Sequence, residues 1–131
     1  MFRARNILWW AADRVGLLSS TDFTEITISA GHRLLHRLIL TPRWYRFPFM
    51  ARDDLQIGDV WTEPGARGRG LARLAVARAL ARAGKQRRVW YVTAADNHAS
   101  IRLIESCGFI LVGEGRRSPG RTGRFHLDTA R

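Results

Sequence analysis

Three closely spaced glycines between a predicted strand and a predicted helix constrain the fold of this chain more than any other feature. Gly65, Gly68 and Gly70 follow the strand-like segment Leu55–Thr62 and accompany the start of the helix-like segment Arg69–Ala83. The first N–H groups of a helix lack intrahelical acceptors, and the positive end of the helix dipole lies there. Glycines let a ligand approach the backbone closely. This turn is therefore a candidate site for a diphosphate group.

Two arginines in the same turn, Arg67 and Arg69, add positive charge to this candidate site. The turn is not a Walker loop, because no Lys-Ser or Lys-Thr pair follows, and it lacks the third glycine and the acidic partner of the dinucleotide fingerprint. The sequence Arg-Gly-Arg-Gly also occurs in disordered RNA-binding tails. Taken alone, the turn leaves both interpretations open.

The pattern along the whole 131-residue chain predicts one domain with a mixed sheet and packed helices. Periodicity and turn residues predict, in order, a helix over 5–18, strands over Phe23–Ser29, His32–Thr41 and Leu55–Thr62, a helix over Arg69–Ala83, a strand over Val89–Ala94, a helix over Asn97–Cys107, and strands over Phe109–Gly113 and Arg124–Asp128. The aromatic segment Trp44–Met50 predicts an edge strand or an irregular hairpin arm, and residues 116–123 predict a mobile loop.

The charge of the chain indicates anionic partners but does not choose among them. Arginine and lysine number 22 against 11 acidic residues, a net charge of +11, and Lys85 is the single lysine. Such a surface attracts nucleic acid, anionic lipid and phosphorylated cofactors alike. No apolar run approaches the roughly 18 residues of a membrane span. A single cysteine, Cys107, excludes an intramolecular disulfide, so we expect a cytoplasmic protein.

Two motifs together resemble the GNAT superfamily of acyl-CoA-dependent N-acyltransferases. The segment Arg67–Ala72 fits the pyrophosphate-loop pattern Arg/Gln-x-x-Gly-x-Gly/Ala, and Thr62-Glu63-Pro64 matches the motif that commonly precedes it in the family, with Thr in place of Val. Downstream, Asn97, Ser100 and Gly108-Phe109 stand at the family's usual intervals. The resemblance covers residues 32–128.

The resemblance implies an α+β fold with a mixed, mostly antiparallel sheet splayed at its central strands and helices on both faces. It also implies acetyl-CoA as acyl donor. The pantetheine arm would pair with the main chain of Val60, Trp61 and Thr62. The diphosphate would lie on the segment Arg67, Gly68, Arg69, Gly70, Leu71 and Ala72. Asn97 would hold the pantetheine or orient the loop, although an N-cap for the following helix is an equally good interpretation.

The chain lacks the usual acid and the usual base of the family. Gln56 stands where many members have a Glu, and Ile104 stands where many have a Tyr. Asp59 is the nearest replacement carboxylate and the candidate base, with a surface charge paired to an arginine as the favoured alternative.

Other titratable side chains are weaker candidates. Tyr91 is a candidate proton donor, although strand tyrosines usually pack. His32 and His36 would share one face of a strand, which we expect to be solvated, and no metal site is expected because no third ligand is evident.

The sequence thus predicts a single domain over 1–131, with a short helical segment over 1–24 and a core over 32–128. We expect an N-acetyltransferase acting on the amine of a small molecule, with an amino sugar or sugar nucleotide as one candidate acceptor. Arginines interleaved with aromatics in 43–50 suit sugar rings and anionic groups. The alternatives are a catalytically silent CoA-binding module and a basic nucleic-acid-binding protein. Nucleic acid is the less favoured partner, and a homodimer is left open.

Overall fold

The computed structural model describes residues 23–44, 47–117 and 124–129. The predicted N-terminal helix over 5–18 lies outside them, as do residues 118–123 of the predicted loop. The described elements are β1 (Thr24–Ala30), β2 (Arg33–Pro42), β3 (Leu55–Thr62), a 3-10 turn (Pro64–Ala66), α1 (Leu71–Ala83), β4 (Val89–Tyr91), α2 (His98–Ser106), β5 (Gly113–Arg117) and β6 (Phe125–Thr129).

The main sheet has the strand order β1-β2-β3-β4. β1, β2 and β3 are antiparallel to their neighbours, while β4 runs parallel to β3 after the crossover through α1. A parallel connection of this kind requires a helix or a comparably long segment. The predicted α+β class with a mostly antiparallel sheet is therefore confirmed, and of the predicted helices the described residues contain α1 and α2.

Helix α1 packs on the sheet through a stripe of small side chains. Ala75, Ala79 and Ala83 recur every four residues and are buried, because residues at this spacing share one helix face. Alanine favours the helix intrinsically and lets it approach the strands closely. The core against this stripe is aliphatic and consists of Leu38, Leu40, Leu55, Ile57 and Val76. Gly84, with φ of +79°, ends the helix as the sequence predicts.

The ladder between β3 and β4 is short and is fastened at one end. It contains three residue pairs and ends where Ile57 faces Tyr91. At the other end the buried carboxylate of Asp54 accepts hydrogen bonds from the backbone N–H of Ala51 and from Trp90 Nε1, both at 2.8 Å. Asp54 therefore connects the loop before β3 to the side chain of Trp90 on β4.

Beyond this fastened end, β3 changes direction at a β-bulge. Leu38 on β2 faces two residues of β3, Asp59 and Val60, because the register shifts between Arg37 and Ile39. Asp59 has a φ of +50°. A bulge bends its strand and increases the local twist. The ladder between β3 and β4 ends just before this bulge, so the main sheet is split beside β3 from there on, as the family resemblance implies.

The C-terminal hairpin corrects one prediction. β5 and β6 form a separate two-stranded antiparallel sheet. The predicted strand over Phe109–Gly113 is wrong, since 109–112 are irregular and the strand begins at Gly113. Ile110 and Leu111 are 86 % and 77 % exposed. An apolar run predicts a buried strand only when a neighbouring strand covers it.

Two further predictions are corrected near the start of the sheet. His32 lies in the turn between β1 and β2 and not on the strand, and His36 is fully buried and not on a solvated face. The described part of the segment 44–50 is irregular, with one isolated bridge at Trp44, so its edge-strand interpretation is wrong and its irregular interpretation holds.

Candidate active site

The split beside β3 exposes main-chain hydrogen-bonding groups. The backbone N–H of Glu63 donates to Leu35 O at 2.8 Å, so the backbone groups of residue 63 point toward β2. Backbone groups of successive residues in a strand point to opposite edges. The N–H and C=O of Thr62 therefore point to the other edge, where β4 has already ended. An extended ligand could pair with β3 there as an added strand does.

The glycine-rich turn lies between β3 and α1, and its geometry is open. Gly68 and Gly70 have φ of +77° and +76°, and a Cβ at either position would meet no heavy atom within 4 Å. Gly70 is the N-cap of α1, and no side chain of the described residues caps the helix. The first intrahelical bond is donated by Leu74 N to Gly70 O. The N–H groups of residues 71–73 therefore have no intrahelical acceptor.

Charge around this turn favours an anion. Arg67 and Arg69 are exposed, and the first turn of α1 contains no acidic residue. The carboxylate of the nearby Glu63 is paired with a different arginine, because Arg33 Nη2 donates to its Oε1 at 2.6 Å. That hydrogen bond is the main reason that the pKa of Glu63 lies below its ordinary value. The residues present thus fit a diphosphate group, because backbone donors and two exposed arginines accompany the open space at Gly68 and Gly70.

Asp59 does not lie free at a strand surface. Arg37 Nη2 donates to its Oδ2 at 2.7 Å, and the two side chains are only 4 % and 5 % exposed. Arg37 Nε also lies 3.8 Å from Glu25 Oε1. The pairing with an arginine follows the favoured alternative of the sequence, whereas the burial does not. Nothing in the spacing of 22 residues between Arg37 and Asp59 could have shown it.

A second buried polar contact crosses the same two strands. His36 Nδ1 lies 2.7 Å from Thr62 Oγ1, and the two residues face each other in the register. His36 Nε2 has no hydrogen-bond partner among the residues that the structure describes. Burial lowers the pKa of His36, since a charged imidazole would lose its solvation there. His36 therefore presents a neutral ring beside the edge residue Thr62, a contact the sequence did not predict.

The residues at the family's acid and base positions, and Tyr91, are packed in the structure. Gln56 is buried, and its Nε2 donates to Pro42 O at 3.4 Å. Ile104 lies half-buried on α2. Tyr91 packs against the core with its ring 6.3 Å from that of Phe109, and its hydroxyl lies 3.5 Å from Ser100 Oγ. Tyr91 thus packs as strand tyrosines usually do.

Asn97 is the N-cap of α2. Its Oδ1 accepts a hydrogen bond from Ser100 N at 3.2 Å. The hydrogen bonds that the structure gives Asn97 lie within the segment 94–101 and do not reach the glycine-rich turn. The N-cap interpretation is confirmed, and the role of Asn97 toward pantetheine stays a prediction.

The aromatic side chains of the segment 44–50 form part of a row of rings. Phe49 packs edge-on against Trp90 at 5.3 Å and against Phe47 at 5.9 Å, and Phe47 lies 5.5 Å from Phe125. The row therefore connects β4 to β6. These rings pack against each other, which is the role that competes with sugar binding.

Neither a metal site nor a membrane-spanning helix is found in the part of the chain that the structure describes. No group of three or more His, Cys, Asp or Glu side chains is arranged to hold a metal ion among residues 23–44, 47–117 and 124–129. None of the helices in these ranges is long and apolar enough to cross a membrane.

A split sheet beside an uncapped helix start defines a protein that can hold an extended ligand ending in phosphates. Residues 15–109 match the acetyltransferase (GNAT) family. The chain belongs to this family and is an acyl-CoA-dependent N-acyltransferase by membership. No curated protein matches the chain.

Solved structures share the fold at low sequence identity. The ribosomal-protein-alanine N-acetyltransferase of Brucella melitensis is 23 % identical, with a TM-score of 0.63 over 92 % of this chain and 70 % of that chain. The aminoglycoside antibiotic 6'-N-acetyltransferase of Acinetobacter haemolyticus is 16 % identical, with a TM-score of 0.64 over 86 % and 79 %. AAC(6')-Iy, in complex with a bisubstrate analog containing CoA, is 16 % identical, with a TM-score of 0.62 over 85 % and 78 %.

Proposed function

We propose that this chain transfers the acetyl group of acetyl-CoA to the amine of a small molecule. The observation that carries the proposal is the split beside β3, which adjoins the glycine-rich turn and the uncapped start of α1. The segment Val60, Trp61 and Thr62 lies along the pantetheine arm, and the arm pairs with the backbone groups of Thr62 that point to the open edge. The segment Arg67, Gly68, Arg69, Gly70, Leu71 and Ala72 holds the diphosphate.

Transfer forms an N–C bond and breaks the C–S bond, and the thiolate leaves. The backbone N–H groups at the β3 edge stabilise the charge that develops on the carbonyl oxygen. The attacking amine must first lose a proton. Gln56 and Ile104 cannot take or give this proton, so the amine loses it to water before it attacks. Positioning of the two reactants then supplies most of the rate enhancement.

Two classes of amine are candidates for the acceptor. The aminoglycoside antibiotic 6'-N-acetyltransferase and AAC(6')-Iy, whose bisubstrate analog contains acetylneamine, share the fold over more than three quarters of their length, which supports an amino sugar. The structure named as a ribosomal-protein-alanine N-acetyltransferase supports a peptide amine instead. We propose the amino sugar, because arginines and aromatics accompany each other in the segment 43–50.

Acetyl-CoA binding tests the turn directly. Gly70→Val places a side chain into the space in front of the first helical N–H groups, and we expect a loss of affinity of about tenfold or more by calorimetry. Gly84→Val is the matched control, since Gly84 has a similar φ of +79°, equally open space and lies at the opposite end of the same helix. The control carries at least as much backbone strain, because Gly84, with ψ of 172°, lies in a region that glycine alone enters readily, whereas Gly70, with ψ of 13°, lies in the left-handed helical region. Equal affinities for the two variants would refute the assignment of the turn.

Free-thiol release with a panel of amines tests the reaction. The panel contains an amino sugar, a sugar nucleotide with a free amine, an aminoglycoside and a peptide with N-terminal alanine. We expect the highest kcat/KM with one of the three sugar amines. A preference for the peptide would overturn the acceptor class. Tight acetyl-CoA binding without thiol release from any amine would indicate the catalytically silent module.

A further inference from the structure

Asp59 has a backbone conformation that requires an explanation. It is the one non-glycine residue with positive φ, at +50°, in the part of the chain that the structure describes. Aspartate enters the left-handed region more readily than most residues, but the conformation still costs free energy. Such a conformation persists only where the surroundings enforce it, and it is concentrated at functional sites.

The ion pair with Arg37 supplies this enforcement. The two side chains are almost completely buried, and their charged atoms are 2.7 Å apart. A buried ion pair pays a large desolvation cost, so it adds little stability compared with apolar side chains of the same volume. The ion pair instead fixes the geometry of the backbone at the bulge. Arg37 faces Trp61 in the register, and Asp59 is the extra residue of the bulge, so the pair crosses the bulge itself.

The position of the bulge connects the pair to the site. The ladder between β3 and β4 ends at Ile57, two residues before Asp59. The bulge therefore lies where β3 leaves β4, and it sets the direction of the strand edge that follows. The segment 60–62 of that edge is the one assigned above to the acyl arm.

We propose that Arg37 and Asp59 are positioning residues that hold the bulge and so orient the edge of β3 for acyl transfer. Asp59 is then not the proton acceptor, because its carboxylate is directed at Arg37. This inference rests on the proposed function, since the edge matters for catalysis only if the acyl arm lies along it. It predicts a larger effect on kcat than on acetyl-CoA affinity, because the glycine-rich turn still holds the diphosphate when the edge is displaced.

A comparison of Asp59→Asn with Asp59→Ala separates positioning from proton transfer. Asparagine adopts positive φ readily and its Oδ1 can still accept from Arg37, whereas alanine can do neither. Positioning predicts that Asp59→Asn keeps the acid limb of the pH–rate profile and is about tenfold faster in kcat than Asp59→Ala. A general base predicts that both variants lose about a hundredfold or more and that the acid limb disappears.

Asp59→Ala leaves Arg37 buried without this partner and could fail to fold. Arg37→Met combined with either Asp59→Gly or Asp59→Ala removes both charges, and these two double variants differ only in whether residue 59 tolerates positive φ. We expect the glycine double variant to be about tenfold faster in kcat than the alanine one. Equal rates would overturn the proposal.

Hydrogen exchange in the protein without ligand keeps this test independent of activity. The amide of Glu63 donates to Leu35 O across β2 and β3, so it reports whether the strand beyond the bulge is in place. We expect faster exchange of this amide in the alanine double variant than in the glycine one. Equal exchange would show that the bulge does not depend on the conformation of residue 59. Absence of acetyl-CoA binding in the wild type would refute the proposed function alone.

Discussion

At the scale of single residues, buried polar side chains beside β3 decide how the candidate site is held. His36 is fully buried and contacts Thr62 with one ring nitrogen, and within the described part of the chain its other ring nitrogen has no hydrogen-bond partner. An imidazole in such surroundings stays neutral, because a second proton would place a charge in the core. His36 is therefore a contact that orients Thr62 and not a proton acceptor for the amine.

Burial of His36 predicts a specific pH dependence of stability. Its pKa is lowered from the ordinary value of 6.5, so below that value the unfolded chain takes up a proton that the folded protein refuses. Above pH 6.5 the imidazole is neutral in both states and stability is undiminished, and below pH 6.5 stability is lost as the pH falls. We expect the free energy of unfolding to decrease below pH 6.5 by at most about 1.4 kcal/mol per pH unit from this group.

Chemical denaturation between pH 5 and 7.5 measures this dependence. In His36→Gln the pH dependence should be smaller than in the wild type. His32→Gln is the matched control, because His32 is exposed in the turn between β1 and β2. A His36→Gln variant with the same slope as the wild type would contradict the burial of a neutral ring.

These residues also show what the sequence does not reveal. The partners Arg37 and Asp59 are 22 residues apart and His36 and Thr62 are 26 apart, so each contact depends on the register of β2 against β3. Alternation within one strand says which residues share a face, but it does not give the register of the next strand. The bulge shifts that register by one residue. Local patterns could therefore name Asp59 but not its partner.

At the scale of elements, the connection from β3 to α1 was predictable because its determinants are local. Gly68 and Gly70 have positive φ for reasons that lie in the turn itself, and Gly84 ends α1 in the same way. The strand Leu55–Thr62 was predicted with its observed bounds. Short-range chemistry fixes such features, so the sequence predicts them well.

The arginines of this turn predict how affinity responds to salt. Arg67 is exposed beside the N-terminus of α1, and CoA carries several negative charges. We expect Arg67→Ala to weaken acetyl-CoA binding about tenfold at low salt and less as the salt concentration rises. Arg78→Ala is the control, since Arg78 is an exposed arginine in the middle of the same helix. Parallel salt slopes for wild type and Arg67→Ala would show that Arg67 takes no part in binding.

At the scale of the whole molecule, the main sheet is fastened at one end and split at the other. Asp54 ties β4 to the loop before β3, and the bulge at Asp59 turns β3 away within a few residues. A continuous ladder would satisfy the backbone groups of β3 on both edges and leave none for a ligand. At the split end, the backbone groups of one edge of β3 are therefore left to pair with an extended molecule.

The C-terminal hairpin is joined to this sheet differently. β5 and β6 pair only with each other among the described strands, and a ring contact between Phe47 and Phe125 links them to the rest of the molecule. A two-stranded sheet is at best marginally stable in water. The apolar run before β5 is exposed for the same reason, since no strand covers Ile110 and Leu111 in the described part of the chain. The sequence could not predict this, because hydrophobicity does not report which neighbour is present.

This difference predicts separate opening of the hairpin. Amides of β5 and β6 should exchange with solvent at least about tenfold faster than those of β2, since the hairpin can open without disrupting the aliphatic core. Hydrogen exchange read by mass spectrometry at neutral pH measures both in one experiment, and β2 serves as the internal control. Phe125→Ala removes the ring contact with Phe47 and should raise the exchange of β6 further while leaving that of β2 unchanged. Equal protection of the hairpin and β2 in the wild type would mean that the hairpin pairs with the main sheet in solution.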